Sequence, residues 1–254
     1  MRPILFEFFG IPVYGYGFMV ALAFIVGYAI SLKHVNKANM TRELFADFTL
    51  WMAVSGVVGA RLLYVALNWS EYADNLLTIF DLRAGGLAFH GGAIAAIIVG
   101  VWFVRKHRLS VGQIADAVTP AFALGIAIVR LGCLLNGCCY GLPSELPWCF
   151  DCSYWHDGAR HPTQIYESLA MFGVFWYLSK RRQHNQFPGY LLIIFSIQYS
   201  AVRFIVEFFR DVREFSAVLS MAQTASLIIA VLGFVSLIIG QRIHRSSQKR
   251  RIQG

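Results

Sequence analysis

Several ionisable side chains lie within long apolar stretches of this sequence, where a charge needs a partner or a function. They are Arg61, Arg130, Arg203, Glu167, Glu207 and His90. Guanidinium groups stay charged and can bind a phosphate through two parallel hydrogen bonds. A group of such arginines at one depth therefore indicates a site for an anionic head group. The alternative is a set of buried salt bridges that only hold helices together.

Two further motifs carry polar groups beside apolar stretches. In Arg160-His-Pro-Thr-Gln-Ile-Tyr-Glu167, the proline fits the turn into a helix, whose first turns hold Gln164, Tyr166 and Glu167. In Gly85-Gly-Leu-Ala-Phe-His-Gly-Gly92, four glycines surround His90. These glycines indicate backbone that closely approaches either another helix or a ligand.

All five cysteines lie between residues 133 and 152, namely Cys133, Cys138, Cys139, Cys149 and Cys152. Disulfides among the last four are the leading interpretation, because the external side of a bacterial-type membrane is oxidising. Free buried thiols, a redox pair at Cys149-x-x-Cys152 and a zinc site completed by His156 or His161 are the alternatives. Because five is an odd number, disulfide pairing leaves at least one free thiol. Cys133, which lies within an apolar stretch, is the candidate for it.

The composition indicates an integral membrane protein. Of 254 residues, 57% are hydrophobic and 14% are charged, and the mean hydropathy is +0.56. A soluble domain carries about 25% charged residues. The net charge of +8 does not indicate nucleic-acid binding, because the basic residues lie at the ends of apolar runs, where they act as topology signals.

The apolar runs predict an all-α fold, a polytopic membrane bundle of about seven transmembrane helices in a single domain over residues 1–254. Crossing a bilayer takes about 20 residues. The predicted spans are Val13–Leu32, Leu44–Leu67, Leu87–Val104, Gln113–Leu135, Ile165–Ser179, Tyr190–Phe209 and Ala217–Gly240. The fifth span is short and the third contains His-Gly-Gly, so six or eight spans are the alternatives.

The basic residues also predict the orientation. Of the 22 lysines and arginines, 14 fall in alternate loops and the C-terminal tail, whereas five fall on the opposite side, at Arg2, Arg83, Arg160, Arg210 and Arg213. Because cytoplasmic loops are enriched in basic residues, we expect the N-terminus outside and the C-terminus in the cytoplasm. The ionisable residues then converge on the outer half of the bilayer.

The order of these motifs resembles that of the prolipoprotein diacylglyceryl transferase family over almost the whole chain. The stretches that match are Tyr16-Gly-Phe-Met, Gly85 to Gly92, Arg130-Leu-Gly-Cys-Leu-Leu-Asn136, Arg160 to Glu167, Tyr199 with Arg203-Phe-Ile-Val-Glu-Phe-Phe-Arg210, and Ser220-Met-Ala-Gln223. Several unlinked motifs in the same order are more specific than any one of them.

The resemblance implies transfer of the diacylglyceryl group of phosphatidylglycerol to the lipobox cysteine thiol of a preprolipoprotein, with release of glycerol phosphate. It also implies a multi-pass protein of the bacterial inner membrane, with its active site facing the periplasmic leaflet. The partners are then phosphatidylglycerol, the lipobox segment and the bilayer. No metal and no cofactor are expected, and a monomer suffices.

The same resemblance suggests roles for individual residues. The expected catalytic residues are His90, Arg130, Arg203 and Glu167, with His90 as candidate base and Glu167 as its partner or alternative. The expected substrate-binding residues are Tyr16, Gly91, Gly92, Asn136, Gly141, Gln164, Tyr199, Glu207 and Arg210.

The signature departs from the family pattern at two positions. Cys133 stands where the family usually has asparagine, and Cys138 where it usually has glutamate. Either the cysteine-bearing loop rebuilds the same site through a disulfide, or the chain is a paralogue that moves a lipid moiety to another acceptor. A membrane thiol–disulfide oxidoreductase using Cys149-x-x-Cys152 and a non-enzymatic lipid-binding or transport protein are the remaining alternatives.

Overall fold

The computed structural model describes residues 4–8, 11–73, 75–81, 85–152, 158–184, 186–211 and 219–253. Five residues used in the sequence predictions lie outside these ranges, namely Arg2, Arg83, His156, Arg213 and Ala217. The described chain contains eight α-helices: α1 Gly15–Leu32, α2 Arg42–Leu67, α3 Trp69–Tyr72, α4 Phe89–Lys106, α5 Val111–Leu135, α6 Thr163–Arg181, α7 Tyr190–Glu207 and α8 Met221–Gln253. Short 3-10 helices occupy Val35–Ala38, Leu76–Phe80 and Arg182–His184.

Each of the seven predicted spans holds one long helix. Within the described ranges, six of these helices are long and apolar enough to cross a membrane, and α6 is the exception. Helix α6 has 19 residues, and its buried face includes Gln164, Glu167 and Ser168. The predicted polytopic helical fold is confirmed, whereas the orientation of the termini stays a prediction.

A short hairpin precedes α1. Strand β1 (Ile4–Phe8) pairs antiparallel with β2 (Ile11–Tyr14), and Ile4 lies opposite Tyr14. The sequence patterns predict only helices and therefore do not include this hairpin. The hairpin is too short to change the fold class.

The chain divides into two compact units, a larger unit of Met1–Lys33 with Ala115–Gly254 and a smaller unit of His34–Ile114. The single-domain organisation stays a prediction. The larger unit holds the arginine and carboxylate residues of α5, α6 and α7, and the smaller unit holds His90.

In the smaller unit, α2 and α4 pack closely through glycines. A Cβ atom at Gly59 would lie 2.6 Å from the Gly91 carbonyl oxygen. A Cβ atom at Gly92 would lie 2.7 Å from the Gly56 carbonyl oxygen. Such contacts need residues without a side chain. Of the two roles expected for Gly91 and Gly92, the structure therefore shows close approach to another helix, and their role in substrate binding stays a prediction.

Arg61, one of the charges within a predicted span, binds backbone. Its guanidinium donates hydrogen bonds to five carbonyl oxygens, those of Thr78, Ile79, Asp81, Gly85 and Gly86, at 2.8–3.1 Å. It also lies over the Tyr72 ring, 5.2 Å from the ring centroid. Arg61 thus fixes parts of the connection that leads to α4, which is a structural role.

In the larger unit, α5, α6 and α7 share a core. Ala123, Met171, Leu178 and Leu191 are fully buried there. The hydroxyl of Ser168 on α6 donates to the Ala127 carbonyl of α5 at 2.9 Å. This packing fixes the three helices that carry the ion pairs described below.

The N-terminus of α7 is capped by a carboxylate from α5. Asp116 Oδ2 accepts from the backbone N–H of Gly189 at 2.9 Å, and Oδ1 accepts from those of Leu191 and Leu192 at 2.8 and 3.2 Å. The first N–H groups of a helix lack intrahelical partners, and the helix dipole favours a negative charge beside them. Asp116 therefore sets where α7 begins relative to α5.

Asp116→Asn should lower the free energy of unfolding by about 1.5–3 kcal/mol, the usual contribution of hydrogen bonds to a charged group. The amide loses the charge and one acceptor oxygen. Thermal unfolding of the purified protein in detergent measures the change, with Asp47→Asn on the exposed side of α2 as the matched control. Equal stabilities of the two variants would contradict this role.

Candidate active site

Two ion pairs form the centre of the candidate site. Arg130 on α5 contacts Glu167 on α6, with Nη2 and Oε1 2.7 Å apart, and the Glu167 side chain is only 2% exposed. On α7, Arg203 Nη2 lies 2.8 Å from Glu207 Oε2, one helical turn away. Both pairs lie in the larger unit, so the structure brings these four predicted residues into one unit as ion pairs.

Tyr199 connects the two pairs. Its side chain lies within interaction range of Arg130 and Glu167 of one pair and of Arg203 of the other. Tyr199 is one turn before Arg203 on α7, which places both side chains on the same helix face. The sequence predicts these residues at one depth of the bilayer, and their roles in binding and catalysis stay predictions.

Glu207 also organises the end of α7 and the start of α8. Arg210 Nη1 lies 4.0 Å from Glu207 Oε2, and the Ser220 hydroxyl donates to Oε1 at 3.0 Å. Ser220 and Gln223 form a capping box, in which each side chain accepts a hydrogen bond from the other residue's backbone N–H. The Ser-x-x-Gln pattern is the sequence signal of this cap.

Two of the buried arginine nitrogens that lack a hydrogen-bond partner belong to this cluster. Arg203 Nη1 and Arg210 Nε have no hydrogen-bond partner within the part of the chain that the structure describes. Buried donors are almost always paired, so each exception needs an explanation. A phosphate oxygen is the acceptor best matched to a guanidinium donor, and these nitrogens therefore mark where an anionic group would bind.

Three thiols lie beside this cluster. The Sγ atoms of Cys133, Cys138 and Cys139 are all within 4.8 Å of one another. Cys133 is on the last turns of α5, and the other two follow in the next turn, where Cys139 has the left-handed φ of 63°. This conformation is uncommon for a residue with a side chain and allows adjacent cysteines to face one cluster.

The start of α6 fixes the backbone of the two adjacent cysteines. Gln164 Nε2 donates to the Cys138 carbonyl at 2.8 Å, and the Thr163 hydroxyl donates to that of Cys139 at 2.6 Å. The expected substrate-binding residue Gln164 thus has a positioning contact, although its Oε1 is buried and unpaired among the described residues.

The surroundings of Cys139 favour its thiolate. Hydrogen bonds from the thiols of Cys133 and Cys138, followed by the charges of Arg210 and Arg130, lower the pKa of Cys139. Tyr16 of α1 lies within electrostatic range of Arg130 and all three thiols, and the Asn136 side chain lies within interaction range of the Cys138 thiol. Tyr16 and Asn136 therefore lie beside the thiols, and their role in substrate binding stays a prediction.

Gly141 connects the cysteine-containing loop to both polar motifs. Its N–H donates to the His161 carbonyl at 2.9 Å, and it forms a backbone bridge with Arg210. Arg160 Nη1 donates to the Gly141 carbonyl at 3.2 Å and pairs with Asp211 at 2.8 Å. This role of Arg160 was not expected, because a loop arginine gives no sequence signal of a distant partner.

All five cysteines are free thiols. Cys149 Sγ lies 3.8 Å from His161 Nδ1, and the Cys152 thiol is directed at the carbonyls of Arg160 and His161 at 3.9 Å. The disulfides expected among Cys138, Cys139, Cys149 and Cys152 are therefore absent here, and their formation stays a prediction.

An apolar cavity of about 450 Å³ lies next to α7. Trp148, Tyr166, Val202, Ile205 and Phe209 are among the residues that line it, together with His161. Trp148 Nε1 donates to the Tyr166 hydroxyl at 2.9 Å, and that hydroxyl lies 3.0 Å from His161 Nδ1. The cavity therefore presents a largely apolar wall with a small polar group.

His90 belongs to the smaller unit, on the first turn of α4. It is exposed, and its ring packs edge-on against Phe89, with the centroids 5.8 Å apart. Its catalytic role stays a prediction from the resemblance.

Comparison with known proteins agrees with this arrangement. The family model described as prolipoprotein diacylglyceryl transferase matches residues 3–239. A phosphatidylglycerol–prolipoprotein diacylglyceryl transferase of Finegoldia magna is 36% identical over 92% of this chain and 94% of its own length. The enzymes of the same name from Clostridioides difficile and Bordetella bronchiseptica are 33% and 34% identical, over 93% and 91% of this chain and 94% and 92% of their own lengths. With matches of this extent, and with the expected arginines and glutamates paired in the structure, the chain belongs to the prolipoprotein diacylglyceryl transferase family.

Proposed function

We propose that this chain transfers the diacylglyceryl group of phosphatidylglycerol to the lipobox cysteine thiol of preprolipoproteins. Family membership and the names of the relatives support this reaction. The single observation that carries it is the pair of buried, unpaired donors on Arg203 and Arg210 beside the Arg130–Glu167 pair. An enzyme that cleaves an anionic phosphodiester needs such donors.

The arginines stabilise the departing phosphate. Phosphatidylglycerol is a phosphodiester with one negative charge, and the glycerol phosphate that leaves is a monoester that gains further negative charge. Donors that are already oriented towards developing charge lower the barrier most. Glu167 and Glu207 hold the guanidiniums in place, at 2.7 and 2.8 Å, before any lipid binds.

The transfer is a substitution at carbon. The acceptor sulfur forms a bond to the glyceryl carbon, the bond from that carbon to the phosphate oxygen breaks, and its electron pair leaves on glycerol phosphate. The thiol proton must go to a base, and we assign this role to His90. Glu167 is better suited to orient Arg130 than to act as base, because its carboxylate is already paired.

The remaining expected residues bind the lipid. Tyr16, Tyr199 and Asn136 carry polar groups at the cluster, where they orient the ester and head-group oxygens. The apolar cavity beside α7 takes an acyl chain, since its wall offers Val202, Ile205 and Phe209 to hydrocarbon. We place the site at the periplasmic leaflet of the bacterial inner membrane, in agreement with the distribution of basic residues.

Purified protein in phosphatidylglycerol liposomes tests the proposal. A synthetic lipobox peptide with a free cysteine should gain the mass of the diacylglyceryl group. The same peptide with serine in place of cysteine, and liposomes of zwitterionic phosphatidylcholine, are the matched controls and should show no gain. Folded protein that leaves the cysteine peptide unmodified would contradict the proposal and favour a paralogue with another acceptor.

A further inference from the structure

We propose that Cys133, Cys138 and Cys139 form a three-thiolate site for a soft divalent cation such as Zn²⁺, and that its fourth coordination position takes the acceptor thiol. The metal site itself follows from the cluster of three sulfurs, whereas the identity of the fourth ligand rests on the proposed transferase function. The family resemblance implied no metal, and the sequence kept a zinc site completed by His156 or His161 only as an alternative.

The spacing of the sulfurs fits one ion. A Zn–S bond is about 2.3 Å long, so two sulfurs on a tetrahedral zinc are roughly 3.8 Å apart. All three Sγ atoms already lie within 4.8 Å of one another. The sulfurs therefore need to approach one another by only about 1 Å to share one ion.

The ligands are held by contacts that do not involve the sulfurs. Cys133 lies on α5, and the carbonyls of Cys138 and Cys139 accept hydrogen bonds from Gln164 and Thr163. Metal sites rely on outer contacts of this kind to orient their ligands. Of the thiols, that of Cys138 donates to the Cys133 carbonyl at 3.7 Å, a weak hydrogen bond that a bound metal would replace.

Sulfur is the ligand atom that soft cations such as Zn²⁺ prefer in proteins, and the bound ion displaces the thiol protons. Among the residues that the structure describes, these three cysteines are the one group of at least three histidine, cysteine or carboxylate ligands close enough for a single ion. Cys149 and His161, by comparison, supply a pair of ligands.

Three protein ligands leave an open position, which is characteristic of catalytic rather than structural zinc. A thiol that coordinates zinc is deprotonated, and its proton goes to the base of the reaction, the role assigned to His90. At this position the acceptor cysteine would be held as a thiolate beside Arg130, near the arginines assigned to the phosphate. The cluster thus gives the transferase a way to activate its acceptor.

Metal binding to the full-length protein in detergent tests the proposal. Dialysis against Zn²⁺ should leave about one zinc per chain, and Co²⁺ should give a sulfur-to-cobalt charge-transfer band. Cys138→Ser should weaken binding by at least the roughly 10–100-fold that loss of an outer contact costs. Cys149→Ser, a matched change outside the cluster, should bind as the unmodified protein does.

A second measurement does not depend on a variant that folds. In the unmodified protein, Zn²⁺ should slow the alkylation of Cys133, Cys138 and Cys139 by a maleimide, and adding a lipobox peptide should change the Co²⁺ spectrum. The metal site would be overturned if no metal bound and these thiols were not protected. It would also be overturned by a disulfide within the cluster in freshly purified protein. Transfer that continues in metal-free protein would overturn the role of the fourth position and leave the proposed function intact. Bound metal without transfer would instead overturn the proposed function.

Discussion

Arg203→Ala is expected to lower the turnover of phosphatidylglycerol about 100- to 1,000-fold, the usual effect of removing one donor that stabilises developing charge. The reason is geometric, since Arg203 has one nitrogen paired with Glu207 and another buried without a partner. The loss should be mainly in kcat, because the charge on the phosphate grows as the bond to carbon breaks.

Arg203 is a cleaner test than Arg130. Arg130→Ala should also abolish transfer, but it removes the ion-pair partner of Glu167, and an unpaired buried carboxylate destabilises the protein. Glu207, by contrast, keeps its hydrogen bond from Ser220 when Arg203 is removed. The control is Arg245→Ala on the exposed part of α8, which should keep full turnover. Near-normal turnover of a folded Arg203→Ala protein would exclude the phosphate-binding role.

His90→Gln is expected to lower turnover by about 100- to 10,000-fold, the contribution of a positioned general base. Glutamine keeps a similar size and can form hydrogen bonds, but it cannot accept the thiol proton. Initial rates of peptide modification at saturating phosphatidylglycerol measure the loss.

His107→Gln is the matched control for His90, because both histidines are exposed at opposite ends of α4. It should leave turnover unchanged. If His90→Gln were as active as His107→Gln, the base would have to be sought elsewhere, and activation of the acceptor by a metal at the thiol cluster would become the simpler account.

The helices could be predicted because the membrane imposes length and apolarity on each of them. Every predicted span contains one long helix, and the ends at Leu32, Leu67 and Leu135 agree with the prediction. The spans of α4 and α6 are the two weaker predictions, and for α6 the reason is physical. Its buried face carries Gln164, Glu167 and Ser168, and this polarity conceals the apolar signal.

The pairing within the candidate site was only partly predictable. Arg203 and Glu207 are four residues apart on one helix, so their contact follows from helical geometry. The contact between Arg130 and Glu167 joins two helices, and sequence spacing gives no distance between them. The sequence also could not separate Arg61 from the site arginines, since a buried arginine can be satisfied by backbone carbonyls as well as by carboxylates.

The thiol cluster could not be predicted from the spacing of the cysteines. Cys133 meets Cys138 and Cys139 because the chain leaves α5 through a turn in which Cys139 adopts a left-handed conformation. Such conformations are uncommon for residues other than glycine. The sequence favoured disulfides, whereas the structure brings three free thiols to the arginine cluster.

The most direct test measures both products of one reaction. Purified protein, phosphatidylglycerol and a lipobox cysteine peptide are incubated together, and thioether-linked peptide and free glycerol phosphate are quantified from the same sample. Our account predicts equal amounts of the two products, and loss of both with Arg203→Ala. Glycerol phosphate without thioether, or no product from folded unmodified protein, would contradict it.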